Sequence, residues 1–228
     1  FYIFAWIASI GYGLEIVVIK LVNKHLSENL WVFNFLWNFL VLLLIAPFAI
    51  ANHATLPTQW SNVVIAGVLY AIAGITYVIN ISKLDVSVFA PLFNFRTVFA
   101  VILAAIFLHE RLSPEQLYLI AIIFIGGLFV STDERFSIKT FFDKRIFYSL
   151  LMMVVIALEA IYTNKSINEL GFWTASLWIT IIAQGVLLFT WPKFGKDFKK
   201  IGPKEFGATL LAAFLGVVGV LASNKAFA

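Results

Sequence analysis

The residues from Pro91 to Val130 read PLFNFRTVFAVILAAIFLHERLSPEQLYLIAIIFIGGLFV. Two apolar segments lie on either side of one polar turn, HERLSPE (109–115). Extended back to Val86, the first segment has the roughly 20 mostly apolar residues that a membrane-spanning helix needs. The second segment carries the pair Gly126-Gly127, and small residues of this kind let a neighbouring helix approach closely. The stretch therefore predicts two transmembrane helices joined at the membrane surface.

The composition of the whole chain indicates an integral membrane protein. Of its 228 residues, 62% are hydrophobic and only 12% are charged, whereas a soluble domain is about half apolar and a quarter charged. Long unbroken apolar runs favour helices over the alternating segments of a barrel. The chain has no cysteine, which excludes disulfides, thiolate metal sites and cysteine nucleophiles. The net charge of +4 comes from basic residues in loops, where they set topology rather than bind nucleic acid.

Eight apolar spans follow one another along the chain, and together they predict an all-α, polytopic fold. A charged connector, Thr132 to Arg145, separates the fifth span from the sixth. The predicted spans are Tyr2–Leu21, Leu30–Ile50, Val63–Ile81, Val86–Leu108, Leu117–Ser131, Ile146–Thr163, Phe172–Trp191 and Phe206–Ser223.

The chain contains a weak internal repeat. A shift of 145 residues places Lys20 on Lys165, and a shift of 144 places Leu14-Glu15 on Leu158-Glu159. A shift of 142 places Gly74 on Gly216. The matches keep their order and pair spans one to three with spans six to eight. Because the first repeat has five spans, an odd number, a second copy that follows it in the chain inserts with the opposite orientation, and the two form an inverted repeat.

The stretch from Pro91 to Val130 resembles the EamA domain of the drug/metabolite transporter superfamily. Four features in register carry the resemblance: Pro91, the turn Glu110-Arg111-Leu112, Gln116, and the pair Gly126-Gly127. The resemblance implies ten helices in two inverted five-helix repeats, with cytoplasmic termini. It therefore predicts a first repeat at 1–132, a connector at 133–145 and an incomplete second repeat at 146–228, so that the chain is a fragment of a longer protein.

The orientation in the membrane stays open. Most lysines and arginines lie in the loops that follow spans one, three, five and seven. The positive-inside rule places these loops in the cytoplasm and the N-terminus outside. The family resemblance implies the opposite.

Two glutamates are the candidates for proton coupling, because a carboxylate within an apolar span is costly and marks a functional site. Glu15 and Glu159 occupy matching positions in the two repeats. Such a group can exchange a proton for a substrate. The alternative is structural: each glutamate is neutralised by a buried partner such as Lys20 or Arg96, or is hydrated near an interface.

Other polar and aromatic residues are candidates for lining a substrate cavity. Arg96 can bind an anionic group with its planar fork, or pair with one of the two glutamates. Asn34 and Asn38 lie on one face of the second span, and equally suit hydrogen bonds between helices. The family often has a basic residue near position 38, which this chain lacks. Pro91 predicts a kink at the start of the fourth span. The remaining cavity candidates are Trp31, Tyr77 and Asn94.

These residues, with the resemblance, predict a secondary transporter that exports amino acids or other small metabolites, possibly coupled to protons, from the plasma (inner) membrane of a prokaryote. The expected partners are a small-molecule substrate, protons and membrane lipids, with no nucleic acid, and the expected state is a monomer or homodimer. No enzymatic motif, cofactor or metal site is predicted. The alternatives are a flippase subunit for lipids or lipid-linked sugars, and a membrane scaffold that transports nothing.

Overall fold

The computed structural model describes residues 2–25, 29–84, 89, 92–93, 95–107, 113–131 and 144–227. Within these residues there are eight α-helices of 13 residues or more, two short 3₁₀ turns and no strand. The helices are α1 (Tyr2–His25), α2 (Leu30–Ala51), α3 (Ser61–Lys83), α4 (Phe95–Phe107), α5 (Pro114–Ser131), α6 (Lys144–Leu170), α7 (Phe172–Leu188) and α8 (Pro203–Phe227).

The prediction of an all-α polytopic fold is confirmed. Five of the helices are long and apolar enough to cross a membrane, namely α1, α2, α3, α6 and α8. The shorter helices α4, α5 and α7 are also apolar. Many large apolar side chains point outward, for example Trp6, Leu43 and Phe214. An exposed apolar surface of this kind is what the hydrocarbon of a bilayer requires.

Several predicted helix ends were wrong. The sixth span was expected to end at Thr163, but α6 continues to Leu170. Its added turns are polar and bond within the helix: Ser166 Oγ donates to the carbonyl of Tyr162 at 2.7 Å. The seventh span was expected to reach Trp191, but α7 ends at Leu188. The chain then enters a 3₁₀ turn that contains Pro192, a residue that cannot extend an α-helix.

The helices form two compact units. The first unit contains residues 1–58 and 170–228, and therefore helices α1, α2, α7 and α8. The second unit contains residues 59–169, and therefore α3 to α6. Each unit thus combines helices that the sequence assigns to different repeats. The repeat boundaries, 1–132 and 146–228, stay a prediction.

In the first unit, α1 packs along α8 at very short range. A methyl group added at Gly11 would lie 3.2 Å from the carbonyl oxygen of Leu215 and 3.4 Å from the Cα atom of Gly219. Since Tyr12 meets Gly219 while Glu15, further along α1, meets the earlier Gly216, the two helices run antiparallel. Glycines at such a contact let two backbones approach as closely as membrane helices allow. Helix α2 adds an apolar core against α7 and α8, which contains Leu36, Leu40, Val41, Ile45, Ala213 and Val217.

In the second unit, hydrogen bonds join α3 to α6. Ser149 Oγ donates to Asn80 Oδ1 at 2.8 Å, and Asn62 Nδ2 donates to Glu169 Oε1 at 2.6 Å. The C-terminal end of α3 therefore meets the N-terminal end of α6, and these two helices are also antiparallel. Phe95 of α4 contacts Phe124 of α5 edge to face, with ring centroids 4.9 Å apart.

Candidate functional site

Glu15 lies inside the first unit, with only 8% of its surface exposed. Its carboxylate rests directly on the backbone of α8 at Gly216. A methyl group at Gly216 would overlap Glu15 Oε1 and would lie 3.0 Å from Cδ and 3.3 Å from Oε2. Glycine therefore provides the space that the carboxylate occupies. A carboxylate in a membrane interior is costly, by roughly 2.5–3.5 kcal/mol on insertion scales, and such a residue is a candidate for a functional site.

The surroundings of Glu15 extend one turn along the same helix pair. A methyl group at Gly219 would lie 2.8 Å from the ring of Tyr12. Tyr12 and Glu15 therefore occupy successive glycine positions on α8. We call the surface formed by Gly216 and Gly219 the α8 glycine face.

Glu159, the predicted counterpart, has a different environment. It lies on α6 in the second unit and is partly buried. Its Oε1 accepts a hydrogen bond from Thr163 Oγ1 at 2.7 Å. The guanidinium of Arg96, in the same unit, interacts electrostatically with this carboxylate. Glu159 thus has a hydroxyl donor and a cation within range, whereas Glu15 rests on a glycine.

Arg96 is exposed at the second residue of α4. Its guanidinium carbon lies 4.8 Å from the centroid of the Phe93 ring, a cation–π contact. Tyr77 is buried and packs edge to face on Phe89 and Phe93, with centroids 5.6 and 5.9 Å apart. Arg96 and Tyr77 therefore both contact the ring of Phe93. Two further predicted residues of this region, Pro91 and Asn94, lie outside the described residues.

The α2 candidates divide between the helix interior and its end. Asn34 and Asn38 are both buried, and Asn38 Nδ2 donates to the carbonyl oxygen of Asn34 at 2.8 Å and to its Oδ1 at 3.2 Å. Trp31 lies in the first turn of α2, beneath the ammonium group of Lys193, which is 3.9 Å from the centroid of the indole ring. Two turns of helix separate Trp31 from Asn38, about 10 Å. Trp31 is therefore separated from Asn38, but it lies within one turn of Asn34, three residues further along α2.

Gln184 of α7 is a further buried polar residue, which was not among the predicted site residues. Its side chain is buried, with 8% exposed, and neither Nε2 nor Oε1 has a hydrogen-bond partner among the described residues. A buried polar group without a partner costs about 1–3 kcal/mol. The sequence does indicate this residue, because Gln184 is an amide within an otherwise apolar span. Gly216 was noticed only as a repeat match to Gly74, and its contact with Glu15 requires knowledge of which helices pack together.

Within the described ranges, no three His, Asp or Glu side chains come close enough together to hold a metal ion. The polar groups described above are two carboxylates, the exposed guanidinium of Arg96, several amides and a few hydroxyl groups. These groups can move a proton and can bind polar or anionic parts of a small molecule.

The architecture is that of a polytopic helical membrane protein with polar groups inside an apolar bundle. The chain belongs to the EamA-like transporter family, whose sequence model matches residues 1–132. This family is part of the drug/metabolite transporter superfamily, so the protein is a membrane transporter. No curated protein and no solved structure matches the chain significantly.

Proposed function

We propose that the protein is a secondary active exporter of amino acids or other small metabolites, coupled to protons and working by alternating access between two inverted repeats. The observation that carries the proposal is the position of Glu15. This carboxylate is buried on an apolar helix and rests on Gly216, in a place that a larger residue would fill. A protein gains no packing advantage from a carboxylate there, which favours a role in proton exchange.

The second part of the proposal concerns Glu159 and Arg96. The guanidinium acts on Glu159 electrostatically and is exposed. An arginine fork binds a carboxylate in a two-point geometry. In this proposal Arg96 exchanges Glu159 for the anionic group of the substrate, and protonation of Glu159 releases the arginine for that exchange. Substrate binding and proton uptake are thereby linked in the second unit.

The proposal also covers location and assembly. We place the protein in the plasma (inner) membrane of a prokaryotic cell, as a monomer or homodimer. Helices α1 to α5 form the first repeat and α6 to α8 belong to the second. The internal matches of Glu15 with Glu159 and of Gly74 with Gly216 support this division.

Transport in proteoliposomes tests the proposal. Efflux and uptake of a panel of amino acids and metabolites are measured with and without an imposed pH gradient, for the parent protein, Glu15→Gln and Glu159→Gln. Glu169→Gln is the matched control, since Glu169 is an exposed glutamate at the end of α6 whose Oε1 contact with Asn62 an amide can retain. We expect gradient-driven movement in the parent and the control, and its loss in both interior variants.

Two results would remove the proposal. Movement that ignores the gradient and both substitutions would make the protein a uniporter and return the glutamates to structural roles. Absence of movement for every solute would favour a flippase or scaffold. Arg96→Gln adds a separate test: a strongly raised KM with unchanged thermal stability supports substrate binding, whereas lower stability with the parent KM assigns Arg96 to structure.

A further inference from the structure

The segment between α7 and α8, residues 189–202, lies at the end of the first unit where α2 begins. We call this segment the α7–α8 loop. It contains two 3₁₀ turns, Trp191–Lys193 and Phe198–Lys200. Because it joins the apolar helix α7 to α8, which is long enough to cross a membrane, we place it at the membrane surface.

Aromatic contacts fix the loop onto α2. Phe35 of α2 contacts Phe194 with ring centroids 4.7 Å apart, and Trp191 contacts Phe194 at 5.1 Å. Phe198 completes the cluster, 5.9 Å from Phe35. Phe194 is only 1% exposed. The loop is therefore a packed element with a defined surface rather than a loose connection.

Hydrogen bonds occupy the carboxylate of Asp197, the acidic side chain of the loop. Asn29 Nδ2 donates to the carbonyl of Lys193 at 3.0 Å and to Asp197 Oδ2 at 2.9 Å. Lys200 Nζ donates to Asp197 Oδ1 at 2.8 Å. Hydrogen bonds from Lys200 and Asn29 lower the pKa of Asp197 below its usual value. Asp197 is thus an ionised group held by neighbours within the first unit.

The outward face of this end remains basic. Residues 189–205 contain five lysines against two carboxylates, a net charge of +3. Lys196, Lys199 and Lys204 are all exposed, and Lys24, at the end of α1, is exposed as well. By contrast, the connection that follows α2, residues 52–58, contains no lysine or arginine. Basic charge is concentrated at one end of the unit.

Exposed aromatic side chains accompany the lysines. Phe189 is 87% exposed and Trp191 is 47% exposed, both directly after the last turn of α7. Aromatic side chains of this kind sit at the level of lipid headgroups. At the same end of the unit, a groove is lined by Asn29, Asp197, Lys200, Gly202, Lys204 and Glu205. The surface thus combines an apolar anchor with cations at headgroup depth.

We propose that the α7–α8 loop, together with the adjoining first turn of α8, binds the headgroups of anionic phospholipids. Lys196, Lys199 and Lys204 supply the attraction, while Phe189 and Trp191 insert beside the acyl chains. Clusters of four to eight basic residues on the cytoplasmic side of a membrane helix attract anionic lipid, with about 1 kcal/mol for each residue near the surface. The positive-inside rule places this end of the unit on that side. The proposal does not depend on the transported substrate.

Lipid titration of the purified full chain in detergent tests the proposal. Bound lipid is counted by native mass spectrometry for phosphatidylglycerol and for phosphatidylcholine with identical acyl chains. The test variant replaces three lysines that make no described hydrogen bond, as Lys196→Gln/Lys199→Gln/Lys204→Gln. We expect the preference for phosphatidylglycerol to fall about fivefold for each lysine, and roughly 100-fold for the three.

The control variant, Lys83→Gln/Lys144→Gln/Lys165→Gln, makes the same change in net charge outside the loop. Retained preference in this control, together with its loss in the loop variant, supports the proposal. Equal losses in both variants would show attraction by net charge alone and overturn it. Unchanged preference in the loop variant would overturn it as well. A folded state common to all variants is confirmed by their thermal unfolding.

Discussion

Replacement of Gly216 by alanine gives the sharpest test of how the α8 glycine face serves Glu15. The new methyl group would overlap Oε1 of Glu15 and lie 3.0 Å from its Cδ. The carboxylate has to withdraw, and it is able to do so because it is the far end of a flexible side chain. The variant should therefore fold but hold its carboxylate in the wrong place.

The two effects of this substitution on stability have opposite signs. Alanine in place of glycine favours a helix by about 1 kcal/mol, and overpacking costs about 1–3 kcal/mol. The net loss is therefore expected to stay below about 2 kcal/mol. The position of the Glu15 carboxylate should affect transport more than stability, because a misplacement of a reacting group by about 1 Å can cost roughly 100-fold in rate. We expect pH-driven transport to fall by about tenfold or more.

The assay pairs transport in proteoliposomes with thermal unfolding in detergent. Gly13→Ala is the control, because a methyl group there would meet nothing within 4 Å, so it should transport normally and be slightly more stable. Gly219→Ala is the comparison, because its methyl group would meet the rigid ring of Tyr12 at 2.8 Å and should mainly lower stability. Full pH-driven transport by a folded Gly216→Ala variant would refute the idea that the glycine positions Glu15.

Three further predictions concern single hydrogen-bonding groups. Ser149→Ala removes the donor to Asn80 Oδ1, a buried bond of 2.8 Å, and should lower the free energy of unfolding by about 1–3 kcal/mol; an unchanged unfolding temperature would contradict this. Gln184→Leu removes two buried polar atoms without partners and should raise stability by about 1–3 kcal/mol with transport intact, whereas loss of transport would indicate that the amide contacts the substrate. For Asp197, the hydrogen bond from Lys200 is the main cause of its lowered pKa. Because the folded-state pKa lies below the unfolded value of 3.8, its stabilising effect is present above that value and is lost as the pH falls below it. Asp197→Asn should therefore show a smaller drop in unfolding temperature across that acid range than the parent, and identical acid profiles would exclude the effect.

The sequence predicted the number and order of the helices because bilayer thickness sets the length of an apolar run. It predicted their ends less well, since hydropathy reports the part of a helix inside the bilayer. The polar segment from Asn164 to Leu170 is helical in the structure, although its composition is that of a loop in a hydropathy reading. Helix propensity and local side-chain bonds, which hydropathy ignores, extend α6 there.

The candidate site was predicted in part. The mid-span position of Glu15 indicated burial, and the structure shows it. The contact of Glu15 with Gly216 could not be predicted from the sequence, because Gly216 lies about 200 residues further along the chain and contact between helices depends on tertiary packing. Arg96 was expected early in the fourth span, and its side chain is exposed on the first turn of α4. One charged residue near a helix end does not reveal which face of the helix it occupies.

The composition of the two units determines the order in which the chain can assemble. Residues 59–169 are continuous, so the second unit can pack as soon as α6 leaves the ribosome. The first unit is interrupted, and α1 has to wait for α8. At about 5–20 residues per second, the roughly 200 residues between Glu15 and Gly216 take about 10–40 s to synthesise. During that time Glu15 has no glycine face to rest on, and α1 stands without the helix that it packs against in the finished unit.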